Sequence, residues 1–173
     1  EFDENISAEQ HVMENVLPFI ADRFDSRPPQ IALLGTSMGG QGALRLAYKH
    51  GHTFPIVAAI SPAIDFHTRW DEGDETIPTM FRDKEAARQE TAMLHVPPFN
   101  WVRHQFFCCD PLDERWHESA DRLQMKLSSM GIPHDYDLET SAGGHGFDYY
   151  NTMAPKVIDY IANALDRERL RIV

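Results

Sequence analysis

The pentapeptide Gly35-Thr36-Ser37-Met38-Gly39 constrains the fold of this chain more than any other segment. It follows an apolar run at residues 30–34 directly and opens a helical pattern at residues 38–50. A strand that turns into a helix this sharply forces the central serine into a strained backbone conformation. We predict that glycine is required at positions 35 and 39, because side chains there would collide. The strain is expected to lift the Ser37 hydroxyl clear of the sheet.

Apolar runs alternate with helical patterns along most of the chain. The predicted strands are residues 30–34, 54–60, 102–109 and 134–140, and the predicted helices are residues 7–24, 38–50, 114–130 and 149–166. Ser7 and Gln10 have the spacing of a capping box, so the first helix is predicted to begin at Ser7. This alternation is typical of an α/β fold, with a mostly parallel sheet and helices on both faces.

One stretch interrupts the alternation. Residues 62–101 contain an acidic run, several prolines and one predicted helix near residues 83–94. We interpret this stretch as a lid or cap inserted between two strands of a single domain that spans residues 1–173. The lid residues His67, Trp70 and Phe99 are predicted to line a substrate pocket, with ordinary packing inside the lid as the alternative.

The composition of the chain limits the binding partners and the cellular location that we expect for it. The chain has 27 acidic and 16 basic residues and a formal net charge of −11, and such a surface repels phosphate backbones, so nucleic acid is not an expected partner. The longest apolar run, residues 56–60, is far shorter than the ~18 residues of a membrane span. No secretion signal is recognisable, so a membrane is not an expected partner and the expected location is cytoplasmic. Cys108 and Cys109 are adjacent and are interpreted as buried thiols.

A serine nucleophile needs a histidine base and a carboxylate that orients the base. On a strand–turn–helix scaffold the chain order is serine, acid, histidine. Of the nine histidines, His145 alone follows the last predicted strand in a flexible glycine-rich loop, so it is the predicted base. The acid is Asp113 or Asp110, with Asp113 favoured, although Asp113 could equally cap the next helix. The Met38 N–H, at a helix N-terminus, is predicted to stabilise an oxyanion.

The quoted motifs carry a resemblance to a known family. The decapeptide at residues 35–44, the Asp-Pro-Leu-Asp turn at 110–113, Gly131-Ile132-Pro133-His134 and Gly143-Gly144-His145 resemble the esterase D-like branch of the α/β-hydrolases. This branch is similar to S-formylglutathione hydrolases, feruloyl esterases and antigen 85 acyltransferases. The resemblance implies hydrolysis of a carboxylic ester or thioester through an acyl-enzyme, with a small acyl ester as substrate and without a metal or organic cofactor. Acyl transfer and a non-catalytic binding module remain alternatives.

The resemblance also implies an eight-stranded sheet in which the nucleophile follows the fifth strand. Here the nucleophile follows the first predicted strand, so we expect the N-terminal strands of the fold to be absent from this chain. The strand from Gln30 to Leu34 would then have a free apolar edge without lysine or internal proline. Such an edge invites pairing with another chain, and we expect the chain either to aggregate or to form a homodimer through it.

Overall fold

Four parallel strands form the sheet of the computed structural model, which describes residues 7–171. The strands are β1 (Ala32–Thr36), β2 (Ile56–Ile60), β3 (His104–Cys108) and β4 (Asp135–Asp137), and they lie side by side in chain order. The pairing runs from Ala32 opposite Ile56 to Cys108 opposite Asp137. Because the strands are parallel, their carboxyl ends meet at one edge of the sheet, where the loops that follow them converge.

Helices cover both faces of this sheet. On one face, Val57 and Phe107 belong to a core shared with α3 (Met38–Lys49) and α6 (His117–Ser129). On the other face, alternate strand residues such as Phe106 pack with α7 (Phe147–Arg169). Burial on both faces explains why β2 is a continuous apolar run. The predicted α/β class is confirmed.

The N-terminal helical region begins at a serine cap. It consists of α1 (Ala8–His11), a π-helical turn at Val12–Val16 and α2 (Leu17–Phe24). The Ser7 hydroxyl accepts a hydrogen bond from the Gln10 N–H at 3.1 Å. The Gln10 amide contacts the Glu14 carboxylate instead of returning to Ser7, so only half of the predicted capping box forms.

Residues 62–101, which we call the cap segment, contain short helical pieces and no strand, and the structure describes all of them. The pieces are 3₁₀ turns at Phe66–Trp70 and Ala92–His95, with α4 (Ile77–Met80) and α5 (Lys84–Gln89) between them. The Gln41 side chain fastens the cap segment to α3, because it donates to the Glu90 carbonyl at 2.8 Å and accepts from the Ala92 N–H at 2.9 Å. These two bonds lie where the single helix predicted at 83–94 is interrupted, between α5 and the 3₁₀ turn at Ala92–His95.

The observed elements differ from the predicted ones mainly at their ends. Strand β4 is much shorter than the predicted 134–140, because the Asp137 carboxylate accepts from the N–H groups of Glu139 at 3.1 Å and Thr140 at 2.9 Å. The chain therefore turns away from the sheet directly after Asp137. Strand β1 is displaced toward the nucleophile relative to 30–34 and includes Gly35 and Thr36. Within residues 7–171, no helix combines the length and apolarity needed to cross a membrane.

Candidate active site

Ser37 occupies the turn between β1 and α3 in a left-handed backbone conformation, with φ of 52°. Its N–H donates to the carbonyl of Ile60 at 3.0 Å, and its carbonyl accepts from the N–H of Ala63 at 3.0 Å. A non-glycine residue persists in such a conformation only where its surroundings fix it. The last residue of the neighbouring strand β2 supplies the first bond and the start of the segment after it supplies the second, and together they hold the strained turn.

The glycine requirement of this turn is one-sided. A Cβ on Gly35 would lie 2.1 Å from the carbonyl oxygen of Gly39, which no side chain tolerates. A Cβ on Gly39 would meet no atom within 4 Å. The prediction is therefore right for Gly35 and wrong for Gly39, because the backbone at 39 crosses over position 35 while its own Cβ direction is open.

His145 connects the serine to an aspartate. Its Nε2 lies 3.0 Å from Ser37 Oγ, and its Nδ1 lies 2.6 Å from Asp113 Oδ2. Gly143 and Gly144 precede it with φ of 91° and 78°, conformations that favour glycine. The loop after β4 can therefore fold back and direct the ring at the turn that carries Ser37. Both distances are within the hydrogen-bond reach that proton transfer requires.

Asp113 uses its two carboxylate oxygens for different tasks. Oδ2 contacts His145, while Oδ1 accepts from the backbone N–H groups of Arg115 and Trp116, each at 3.2 Å. The side chain is almost fully buried. Burial alone would raise the pKa of Asp113, but the bond and the charge of His145 lower it below the ordinary value. Asp113 thus contacts His145 and also caps the turn at residues 114–116 that leads into α6, whereas the N-cap of α6 itself is Trp116.

Asp110 contacts the histidine loop and not the histidine ring. It is fully buried and accepts four hydrogen bonds, from Leu112 N–H at 2.8 Å, Ser141 Oγ at 2.9 Å, Ala142 N–H at 2.6 Å and Gly144 N–H at 2.8 Å. Burial opposes ionisation, but the backbone bonds lower the pKa of Asp110. The structure therefore brings Asp113, and not Asp110, into contact with His145.

The N-terminus of α3 lies beside the nucleophile. Met38 is the first residue of this helix, and Gly39 is the second. Backbone N–H groups in a first turn have no acceptor within their own helix, and they carry the positive end of the helix dipole. The Met38 N–H is thus a helix-terminal donor in the residue that directly follows Ser37.

A cleft of about 300 Å³ opens over Ser37 and His145. Its other lining residues come from α3, the cap segment and the turn after β3, and they are Met38, Phe66, Arg69, Asp74, Thr76, Ile77, Arg115 and Trp116. Apolar side chains and two guanidinium groups therefore share one small space beside the nucleophile. The arrangement can hold an organic acyl compound against Ser37 Oγ.

The three residues predicted to line the pocket lie elsewhere. In the 3₁₀ turn at Phe66–Trp70, side chains three residues apart share a face. Phe66 and Arg69 face the cleft, so His67 and Trp70 project in other directions, into a separate cavity and against the core. Phe99 is 76 % exposed and lines no part of this cleft. The cap segment does contribute to the pocket, through residues other than those predicted.

Sequence reasoning missed Tyr150 as a neighbour of the site. Its ring stands edge-on to the His145 ring, with centroids 5.7 Å apart and an interplanar angle of 87°. Burial, with a smaller contribution from the Asp113 charge, raises the pKa of Tyr150. The sequence offered one signal, a Tyr149-Tyr150 pair just after His145, but it did not tell which ring enters the core. Tyr149 is the fully buried one.

Of the two cysteines, Cys109 contacts this site, because its thiol donates to Asp113 Oδ2 at 3.5 Å. Cys108 and Cys109 are buried on opposite faces of the sheet, as consecutive strand residues are. Burial raises the pKa of the Cys108 thiol to about 12 and that of Cys109 further. Over the described part of the chain, no group of three or more His, Cys, Asp or Glu residues could hold a metal ion.

The sequence profile of one family, Esterase, described as "Putative esterase", matches residues 1–168. This chain belongs to the Esterase family. No curated protein matches the chain significantly. The resemblance to esterase D-like α/β-hydrolases is thereby confirmed at the level of the family.

Solved structures share the fold of this family member. S-formylglutathione hydrolase from Staphylococcus aureus superimposes with a TM-score of 0.73 and 15% identity over 93% of this chain and 66% of its own. The S-formylglutathione hydrolase from Agrobacterium tumefaciens gives 0.70 and 19% identity over 90% of this chain and 56% of its own. The capsule O-acetyltransferase of Neisseria meningitidis serogroup A gives 0.69 and 17% identity over 91% and 66%. The chain therefore spans less than two thirds of the length of these three proteins.

Proposed function

We propose that this esterase family member hydrolyses carboxylic esters or thioesters with Ser37 as nucleophile, His145 as general base and Asp113 as the orienting acid. The observation that carries the proposal is the position of His145, whose two ring nitrogens lie within hydrogen-bond distance of Ser37 Oγ and Asp113 Oδ2. Membership of the family supports ester chemistry, and the catalytic assignment and the acyl-enzyme go beyond that membership.

The proposed reaction has two halves. Ser37 Oγ attacks the acyl carbon while His145 Nε2 takes the hydroxyl proton, and the carbonyl oxygen becomes an oxyanion facing the Met38 N–H. Collapse of this intermediate breaks the bond to the alcohol or thiol, which leaves with the proton from His145. Water then attacks the acyl-enzyme in the same way, and its proton passes through His145 to the departing Ser37 oxygen. Asp113 keeps the Nδ1 proton of His145 in place throughout.

Acyl transfer is a second candidate with the same first half. The likeness to a capsule O-acetyltransferase favours it, because that fold accommodates an acceptor other than water. An alcohol would then attack the acyl-enzyme in place of water. Analysis of the products in the presence of added alcohols separates the two outcomes: free acid indicates hydrolysis, and a new ester indicates transfer.

The nucleophile is tested by replacing Ser37 with alanine. We expect Ser37→Ala to lower kcat for p-nitrophenyl esters by about 10⁶-fold, as removal of the nucleophile does in other serine enzymes. A fluorophosphonate probe should label the wild-type chain at Ser37 and leave the variant unlabelled. Wild-type turnover by Ser37→Ala would refute the assignment, and a folded wild-type chain that neither turns over esters nor reacts with the probe would favour a non-catalytic binding module.

A further inference from the structure

Two arginine side chains line the cleft above Ser37. Arg69 comes from the 3₁₀ turn of the cap segment, and Arg115 comes from the turn that follows Asp113. One acid, Asp74, lines the same cleft. The cleft therefore carries an excess of positive charge in a chain whose formal net charge is −11.

Arg69 is partly neutralised. Its guanidinium contacts the Asp74 carboxylate at 2.9 Å, and its Nε is buried without a hydrogen-bond partner within residues 7–171. An unpartnered buried donor costs free energy unless a ligand or water satisfies it. Arg69 thus retains one donor that the protein itself does not use.

Arg115 has no ion-pair partner in the described part of the chain. Its backbone is nevertheless fixed, because its N–H donates to Asp113 Oδ1 at 3.2 Å. The start of this long side chain is therefore anchored to the same carboxylate that contacts His145. Arg115 and Ser37 line the same cleft of about 300 Å³, so an anion bound by the guanidinium would share this cleft with a substrate attached to Ser37.

A second cavity of about 330 Å³ adjoins the catalytic cleft, and Arg69, Arg115 and Trp116 line both. Four acidic side chains line the second cavity and not the catalytic cleft, namely Asp65, Glu72, Glu114 and Glu118. Arg122 contacts two of them, Asp65 and Glu118. These four acids thus belong to the second cavity, whereas Ser37 lies in the catalytic cleft. Within the catalytic cleft, Asp74 already forms an ion pair with Arg69.

We propose that the cleft selects esters or thioesters that carry a carboxylate, with Arg115 as the specificity-determining residue. This proposal rests on the proposed ester chemistry of Ser37. A guanidinium presents paired N–H donors that match the two oxygens of a carboxylate. The apolar lining from Phe66, Ile77 and Trp116 would hold the hydrocarbon part of the same molecule.

The test compares esters that differ in one charge. The first pair is the p-nitrophenyl monoester of glutaric acid and its neutral methyl ester, in which the carboxylate is on the acyl side. The second pair is 4-acetoxybenzoate and methyl 4-acetoxybenzoate, in which it is on the leaving group. The ratio of kcat/KM for the charged and neutral member is measured with the full wild-type chain, Arg115→Gln, Arg115→Lys and Arg27→Gln.

We expect wild type to prefer the charged member of at least one pair, and Arg115→Gln to reduce that ratio about tenfold, the lower end for hydrogen bonds to charged groups because Arg115 is exposed. Arg115→Lys should keep part of the preference, since it retains the charge but not the paired donors. Arg27 is also exposed and precedes β1, at the end of the strand opposite Ser37, so Arg27→Gln should keep the wild-type ratio.

The pair that shows the preference identifies the side of the scissile bond on which the carboxylate binds. Equal ratios in wild type and Arg115→Gln for both pairs would overturn the proposal. Calorimetric binding of monomethyl glutarate and dimethyl glutarate to Ser37→Ala tests the same site without turnover. If binding of the charged compound depends on Arg115 while the wild-type chain hydrolyses no ester, the anion site is upheld and the proposed reaction is rejected.

Discussion

Asp110 and Asp113 are two buried carboxylates three positions apart that act on different parts of the same loop. Asp113 contacts the His145 ring through Oδ2. Asp110 accepts from the backbone of the loop that carries this ring, at Ala142 and Gly144. Asp113 therefore contacts the imidazole itself, and Asp110 fixes the backbone of the loop that carries it.

This difference predicts opposite effects of two matched substitutions on kcat and on stability. Asp113→Asn should lower kcat by about 10⁴-fold with little change in melting temperature, because an amide favours the wrong tautomer of the histidine. Asp110→Asn removes one of two acceptor oxygens and should cost about 1–3 kcal/mol of stability, with a smaller loss of kcat. Esterase assays and thermal unfolding of both variants give the ranking. A larger kcat loss for Asp110→Asn would exchange the two roles.

At this scale the sequence could predict which serine and which histidine meet, but not which residues line the cleft. Ser37 and His145 stand out because a strained turn and a glycine-rich loop have local signatures. The choice between Asp110 and Asp113 depends on where each carboxylate points, and spacing alone does not fix that. The arginines of the cleft escaped notice because nothing local distinguishes a lining arginine from a solvated one.

The turn between β1 and α3 allows a sharp test at the level of secondary-structure elements. Gly35→Ala places a Cβ 2.1 Å from the Gly39 carbonyl oxygen and should displace the helix from the strand, at a cost of about 3 kcal/mol or more. Gly39→Ala meets open space and should raise stability by up to about 1 kcal/mol, because alanine favours the helix. Chemical denaturation of both variants measures the contrast. Equal destabilisation by the two alanines would contradict the one-sided collision.

Element order and type followed from the apolar periodicity, whereas tertiary contacts decided where several elements end. Strand β4 ends at Asp137 because that carboxylate caps the following turn. The helix predicted at 83–94 is divided where Gln41 contacts the segment, and Gln41 is distant in sequence. Neither interaction leaves a periodic signal, so pattern analysis of one sequence could not find these boundaries.

For the whole molecule, the edge of β1 that faces away from β2 determines the oligomeric state that we expect. Strand β1 pairs with β2, and no other strand among residues 7–171 lies against it. Leu34 on this strand is 45 % exposed. Unpaired backbone groups beside an exposed apolar side chain favour association with another strand. We therefore propose that two copies of this chain pair through β1.

Sedimentation velocity tests this proposal. The wild-type chain should sediment as a dimer at micromolar concentration, and Leu34→Lys should shift it toward the monomer, because a charged side chain on an edge strand opposes pairing. Leu170→Lys is the matched control, since Leu170 is 82 % exposed at the far end of α7. A monomeric wild-type chain, or equal effects of the two lysines, would count against the β1 interface.

The Gln41 amide has a consequence for engineering. It forms hydrogen bonds to the cap segment only at main-chain atoms, the carbonyl of Glu90 and the N–H of Ala92. A replacement loop would need a carbonyl and an N–H at the same two-residue interval, and also side chains that fill the buried positions of the cap segment, of which Ala92 is one. Grafts that keep this interval and these buried positions should change substrate preference while Ser37, His145 and Asp113 stay where they are.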